Sequence, residues 1–262
     1  MMLQPHSSEW YDRLSQVQDG YFYPWKSTLL PLNGEDEYLQ IVRQLLTPEM
    51  VVLDVGCGHG EVPIQLAPLC QWMVAYDRTT AYIEMARKTA VSQNLPNINI
   101  IQADSLPALL ASPHLPPHVR QFDMIISRRG PLNWVEQVRM VAKTGTILFV
   151  LNPKESLLPV WNDRLPEPLR LANPRTYSRR QSVERRLGIA GLTLHSAWAF
   201  DVPEYFATPQ DLYVKLSWGY TADEVPSFTA VSSILTQIFA EYADKQGLAV
   251  PHGRFMWQAV VD

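Results

Sequence analysis

At 262 residues, 47% of them hydrophobic, the chain is long and apolar enough to bury a sizeable core, most simply as one large domain with additions. Its net charge of −4 gives no global positive field of the kind that sequence-independent nucleic-acid binding relies on, so nucleic acid is disfavoured as a partner. Cys57 and Cys70 lack the spacing of a zinc site and follow no secretory signal, and no apolar run approaches the roughly 20 residues needed to cross a bilayer. A reducing, cytoplasmic protein with no metal centre and no membrane span is expected.

In chain order, residues 1–46 read as an N-terminal arm, aromatic and then helical. Trp10, Tyr11, Tyr21, Phe22, Tyr23 and Trp25 lie between turn residues, too apolar for a free tail. From Gly34 the spacing of Tyr38, Ile41, Val42, Leu45 and Leu46 predicts an amphipathic helix, with Glu35 and Glu37 in the first turn, where the helix dipole favours acids. Beyond it, apolar runs at 51–55, 72–76, 98–102, 123–127 and 145–151 alternate with helical patterns at 60–69 and 79–93.

Runs without strict alternation suit strands buried on both faces, as in a parallel sheet covered by helices. A helix at 178–190, closed by Gly188 and Gly191, precedes a strand at 192–200, and RFMWQAVV at 254–261 reads as the last strand. The expected architecture is α/β, doubly wound, with a mostly parallel seven-stranded sheet: an α/β core at 47–200, a helical, lid-like insertion at 201–253, and the final strand at 254–262. Two helical patterns, 211–218 and 227–245, fall in that insertion. Its aromatics Tyr205, Phe206, Tyr213, Trp218 and Tyr220 suit either a lid over the acceptor or ordinary core packing.

The turn VLDVGCGHGE, 52–61, carries the first chemical signal. A dinucleotide fingerprint places its glycines at positions one, three and six so that a helix N-terminus approaches a pyrophosphate; counted from Gly56, position six is Glu61. With Asp54 just before the turn, two carboxylates would face a dianion. The same backbone suits a cationic ligand with an amino-acid moiety, such as S-adenosylmethionine, because Gly56, Gly58 and Gly60 let the main chain pass without a Cβ in the way. About 20 residues on, Asp77 ends the second strand, where an acid can bind both ribose hydroxyls. Asp77 and Asp104 each have an alternative as a helix N-cap.

The pattern acid-x-Gly-x-Gly-x-Gly at 54–60 resembles the first motif of class I S-adenosylmethionine-dependent methyltransferases, and the resemblance covers 50–151. It implies a Rossmann-like methyltransferase fold with S-adenosyl-L-methionine as cofactor, and it puts Asp104 and Ser105 where the family's third motif meets the adenine amino group. The implied cofactor set is Asp54, Gly56, Cys57, Gly58, Gly60, Asp77, Arg78, Asp104, Ser105 and Ser127, with Cys57 a small buried filler. Arg78 departs from the family, which often has an apolar residue against adenine there; either its guanidinium stacks on the ring or another residue does. GYFYPWKS at 20–27, NGEDEY at 33–38 and SRRGP at 127–131 together resemble a group of uncharacterised bacterial methyltransferase-domain proteins.

Methyl transfer from a sulfonium needs alignment above all, and a general base only for an acceptor protonated at neutral pH, so no catalytic residue is singled out. After the fourth strand the chain reads FDMIISRRGPLNW, without the Asn/Asp-Pro-Pro-Tyr/Phe signature of amino-methylating enzymes acting on adenine or glutamine and without the Pro-Cys of cytosine-C5 enzymes. Arg128 and Arg129 are candidates to orient an anionic acceptor or the methionine carboxylate; the alternative is a pair of solvated turn residues. Tyr23, Trp25 and Lys26 could cap the pocket, with the aromatics favoured by cation–π attraction to the sulfonium, or simply staple the arm to the core.

His59 in the turn reads as solvent-facing or capping. The basic residues Arg175, Arg179, Arg180, Arg185 and Arg186 suit a solvated helix face balanced by Glu184 better than an RNA contact. The expected activity is methyl transfer to a small-molecule acceptor. The alternatives are an RNA or protein methyltransferase with an open groove, and a cofactor-binding module without activity. A nicotinamide oxidoreductase stands behind all of these, for the charge reason.

Overall fold

The computed structural model of the chain describes residues 7–18, 20–171 and 177–262. In chain order these form α1 (Ser8–Val17), β1 (Thr28–Leu29), α2 (Glu35–Leu45), β2 (Val51–Val55), α3 (Glu61–Leu66), β3 (Trp72–Asp77), α4 (Thr80–Ser92), β4 (Ile98–Gln102), α5 (Leu106–Ala111), β5 (Phe122–Arg128), β6 (Ala142–Pro153), α6 (Arg179–Ile189), β7 (Ser196–Phe206), α7 (Pro209–Leu216), α8 (Phe228–Tyr242) and β8 (Leu248–Val260). Short 3-10 turns lie at Ala67–Leu69, Asn133–Met140, Asn162–Arg164 and Glu167–Leu169. The strands follow the order β1-β7-β8-β6-β5-β2-β3-β4 in one sheet of eight.

Seven strands were expected, and the additional one is β1. It pairs antiparallel with β7 through only two residues, Thr28↔Tyr205 and Leu29↔Glu204, too few to leave a period-2 signal. The other boundary shifts also have local causes. Leu192, expected at the start of a strand, is drawn into the end of α6, where its N–H donates to Leu187 O at 2.8 Å beyond Gly191 at φ 69°. At the far end β8 starts at Leu248, six residues before the expected strand, in a stretch where Pro251 reads as a breaker.

By contacts the chain forms two compact units. One comprises 34–154, 177–199 and 254–262; the other comprises 1–33, 155–176 and 200–253, so that residues 155–176, expected within the core, are counted with the arm and the insertion. In the larger unit β2 pairs in parallel with both β3 and β5, β3 with β4, and β5 with β6, while β8 runs antiparallel to β6. Leu53, Val55, Val74, Ile101, Ile125, Leu148 and Trp257 are buried in one core cluster, and Ile64, Ala75, Ile83, Ala86 and Ile100 in another. Burial on both faces explains why these strands read as unbroken apolar runs.

The chain proceeds from β2 outward to β3 and β4, then crosses back to β5 and β6 on the other side. The strand order therefore reverses between β2 and β5, the switch point at which the carboxyl ends of neighbouring strands diverge to leave a crevice.

Helix starts follow from capping. Gly34, at φ 87°, leads into α2 and its N–H donates to the Glu37 carboxylate at 2.6 Å. Ser178 and Gln181 form a reciprocal capping box on α6, at 3.2 and 3.0 Å. The smaller unit has its own core of Trp161, Leu165, Leu169, Phe206, Leu212, Leu216, Val231, Leu235, Ile238, Leu248 and Val250. Among the described residues no helix is long and apolar enough to cross a membrane.

Candidate cofactor crevice

The glycine turn at the end of β2 is built largely by the protein's own packing. Gly56, Gly58 and Gly60 hold φ of 73°, 55° and 87°, a region open to glycine at no steric cost. The amides of Gly56 and Cys57 both donate to Tyr76 O, at 2.9 and 3.0 Å, which hangs the turn on β3. A Cβ on Gly56 would stand 2.9 Å from Pro131 Cδ, and one on Gly60 would stand 2.7 Å from Ala86 Cβ. Room for a ligand is thus not what requires glycine at 56 and 60; contact with the turn after β5 and with α4 suffices. Gly60→Ala is expected to cost about 2 kcal/mol or more in urea unfolding, through backbone strain and overpacking.

Asp77 closes β3 and holds the turn from the other side. Its Oδ2 accepts from the Gly58 N–H at 3.0 Å and its Oδ1 from the Thr79 N–H at 2.9 Å. Each carboxylate oxygen has a further lone pair, so Asp77 can brace the turn and still accept from hydroxyls. Asp104, by contrast, caps nothing: Ser105 is the N-cap of α5, accepting from Ala108 N–H at 3.4 Å and donating to Asp104 Oδ1 at 2.9 Å. This leaves Asp104 exposed at the end of β4. Arg78 is half-buried next to Asp77.

Asp54 is the group most altered by its setting. It is 2% exposed on β2, and burial, reinforced by the neighbouring Asp77 charge, pushes its pKa to about 7 against the pull of Arg128. The carboxyl is a poor anion as it stands and a good one once a cation lies against it.

Other residues of the turn are inert by comparison. Burial raises the Cys57 thiol well above its ordinary value, in keeping with a protonated filler packed against the cluster that holds Ile64 and Ala75. Partial burial lowers the His59 pKa, outweighing Glu61, so its imidazole is neutral at neutral pH.

Ser127 is engaged within the sheet. It is fully buried and its hydroxyl donates to Val55 O at 2.7 Å, so it ties β5 to the base of the glycine turn. Gly130 continues the tie: a Cβ there would stand 2.7 Å from Val55 O.

The two arginines after Ser127 are not solvated. Arg128 Nε donates to Glu35 Oε2 at 2.8 Å and its Nη1 lies 3.2 Å from Glu61 Oε2, while Arg129 Nε is 3.9 Å from Glu35 Oε2. Arg254 from β8 takes the other oxygen of Glu35 at 2.5 Å. Burial alone would raise the Glu35 pKa, but the three guanidiniums together hold it far below the carboxylate range. Sequence reasoning did not bring Glu35 and Arg254 together with these arginines. Glu35 looked like an ordinary first-turn acid, and Arg254 stands well over a hundred residues from the SRRGP turn, with no local pattern to link them.

Tyr23 and Trp25 belong to the smaller unit, and the contacts described for them lie within it. Their rings stack at 4.6 Å, Trp25 Nε1 donates to Glu204 at 2.8 Å, and Glu204 also accepts from Ser27 at 2.6 Å and pairs with Lys215 at 2.7 Å. Lys26 donates its backbone N–H to Asp211 at 3.1 Å. That is the pattern of a stapled arm. On α6, Arg180 pairs with Glu184 at 2.8 Å, Arg186 pairs with Glu136, Arg179 donates to Pro153 O at 2.9 Å, and Arg185 is exposed. Arg175 lies outside the described residues.

Residues 52–154 match the family model of a methyltransferase domain. A probable cobalt-precorrin-6B C(15)-methyltransferase (decarboxylating) of Methanocaldococcus jannaschii is 30% identical over 74 residues, 28% of this chain and 40% of that protein. A ribosomal protein L11 methyltransferase of Thermoanaerobacter sp. is 32% identical over 69 residues, 26% of this chain and 22% of that one. The chain thus spans less than half the length of these curated relatives. The crystal structure of a functionally unknown protein from Deinococcus radiodurans R1 superposes with a TM-score of 0.65 over 96% of this chain and 99% of that one, at 21% identity, a likeness of fold. Residues 52–154, which run from β2 to the end of β6 and carry the acid-flanked glycine turn at the sheet's switch point, thus match a methyltransferase domain.

Proposed function

We propose that the protein transfers the methyl group of S-adenosylmethionine to a small-molecule acceptor. The observation that carries this reading is Asp54, a carboxyl buried at the switch point with its pKa raised to about 7, which is stabilised as an anion by a cationic ligand and opposed to a pyrophosphate. The residues fit the cofactor. Asp54 would hold its ammonium, the backbone of Gly56, Cys57, Gly58 and Gly60 its methionine portion, Asp77 its ribose hydroxyls, and Asp104 with Ser105 its adenine edge, beside Arg78.

The cofactor, when bound, supplies the activated methyl group on a sulfonium, and the leaving group departs neutral. What the chain contributes is alignment. The turn is pinned to β3 through Tyr76 O, to Asp77 through the Gly58 N–H, and to the β5 end through Ser127 and Pro131, which fixes the ligand's frame against thermal play. His59, neutral at neutral pH, could accept a proton from an acceptor, but no geometry singles it out.

The pairing of Arg180 with Glu184 and of Arg186 with Glu136 offsets part of the positive charge of α6, which supports a small acceptor over RNA. Two free cysteines suit the cytoplasmic location that goes with this reading. Titration calorimetry is the direct test. S-adenosylhomocysteine is expected to bind the full chain and NAD to give no heat; the reverse would sink the reading. A screen of metabolites with a tritiated methyl donor then identifies the acceptor.

A further inference from the structure

In the smaller unit, α1, the segment after it and the turn after α7 line a hollow of about 470 Å³. Its apolar walls are Leu14 and Val17, then Phe22 and Pro24, then Trp218 and Tyr220. Sites for small molecules run from roughly 300 to 1,000 Å³, apolar for the most part with a few placed polar groups. None of the residues assigned above to the cofactor is among its walls.

The hollow is held open, because the flexible side chains that could fill it are tethered. Arg13 Nη1 pairs with Glu224 at 2.9 Å and its Nη2 donates to Gly219 O. Gln18 Nε2 donates to Gly20 O and Phe22 O at 2.8 and 2.7 Å, while its Oε1 accepts from Trp218 Nε1 at 3.1 Å. The turn is equally fixed. Thr221 N–H donates to Glu224 at 2.9 Å, and at Gly219, with φ 78°, a Cβ would stand 2.3 Å from Trp10 Nε1. Trp218, held by Gln18 and set edge-on to Trp25 at 5.6 Å, stays in place as a wall. Phe22 and Val17 consequently remain 49% and 76% exposed, apolar surface whose contact with water is unfavourable.

The polar groups define what fits. Arg13 carries the only formal charge among the described lining residues, and Glu224 matches it, so a charged ligand would find no net countercharge. The Tyr220 hydroxyl makes no hydrogen bond among the described residues. Burial and the Glu224 carboxylate raise its pKa, which keeps it protonated and able to donate at neutral pH. The rings of Phe22, Trp218 and Tyr220 offer flat faces and edges to another ring.

We propose that this hollow binds an uncharged, flat aromatic molecule bearing one hydroxyl or carbonyl oxygen, its ring against Phe22 and Trp218 and its oxygen at Tyr220. The site is made by the smaller unit alone and is independent of the methyl-transfer reading.

Calorimetry on the full chain at pH 7 uses four probes: 2-naphthol, naphthalene without the oxygen, anionic 2-naphthoate, and trans-2-decalol, which keeps the hydroxyl and loses the flat ring. In wild type 2-naphthol is expected to bind tightest. Phe22→Ala, at an exposed position, should weaken it by about five- to tenfold, and Tyr220→Phe should bring it down to the affinity of naphthalene. No binding of 2-naphthol, equal affinity in wild type and Phe22→Ala, no effect of Tyr220→Phe, or a preference for 2-naphthoate or decalol would each overturn the site. Should Phe22→Ala not fold, Val17→Ser on the same exposed wall is scored on the same readouts. Adding S-adenosylhomocysteine to the titrations separates the two readings, since a chain that binds 2-naphthol but not the adenosyl ligand keeps this site and loses methyl transfer.

Discussion

Replacing Asp54 by Asn is expected to make the empty protein more stable at pH 8 and to weaken S-adenosylhomocysteine binding by roughly ten- to a hundredfold. Both effects come from one feature, a carboxyl buried beside Asp77 whose pKa is raised to about 7. In the unfolded chain the same group titrates near the ordinary aspartate value of 3.8, so between those two pH values the native state binds more protons than the unfolded one. Wild-type stability due to Asp54 therefore falls as pH rises from about 4 to about 7 and levels off above. The isosteric amide carries no such loss.

The difference between variant and wild type should be near zero at pH 4 and reach roughly 2 to 4 kcal/mol at pH 8, read from urea unfolding at each pH. A variant less stable than wild type at pH 8, or one that binds the ligand equally well, would remove Asp54 from the centre of the site. Stability given up where a ligand cation later sits is the expected trade at a binding site.

Glu35→Ala should have the opposite sign and a larger cost. It takes from Arg128, Arg129 and Arg254 the buried carboxylate on which they converge, and breaking a buried ion cluster by removing one partner costs about 3 to 5 kcal/mol. The pH dependence distinguishes this from a simple packing defect. Because the folded Glu35 pKa is lowered, its stabilisation is complete above the ordinary glutamate value of 4.5 and is lost progressively as pH falls below it. The gap between wild type and Glu35→Ala should accordingly be widest at neutral pH and narrow towards pH 3. A gap independent of pH would mean that Glu35 acts through packing and not through its charge.

The amino-acid sequence by itself determined the core architecture, because each piece of it is encoded locally. The runs 51–55, 72–76, 98–102 and 123–127 are apolar throughout since both faces of those strands are covered, and they match β2, β3, β4 and β5 to within a residue or so. The glycine turn, Asp54, Asp77 and Asp104 were legible for the same reason: a strand end followed by a turn is a short-range pattern, and the acids lie where the chain leaves the sheet.

What only the tertiary structure decided depends on residues distant in the chain. That Gly56 and Gly60 are required by Pro131 and Ala86, that Ser127 serves Val55, and that Glu35 at the start of α2 collects arginines from β5 and β8 are all contacts across strands. No periodicity records them, since the sequence separation of two side chains says nothing about their distance once a sheet's strand order departs from chain order.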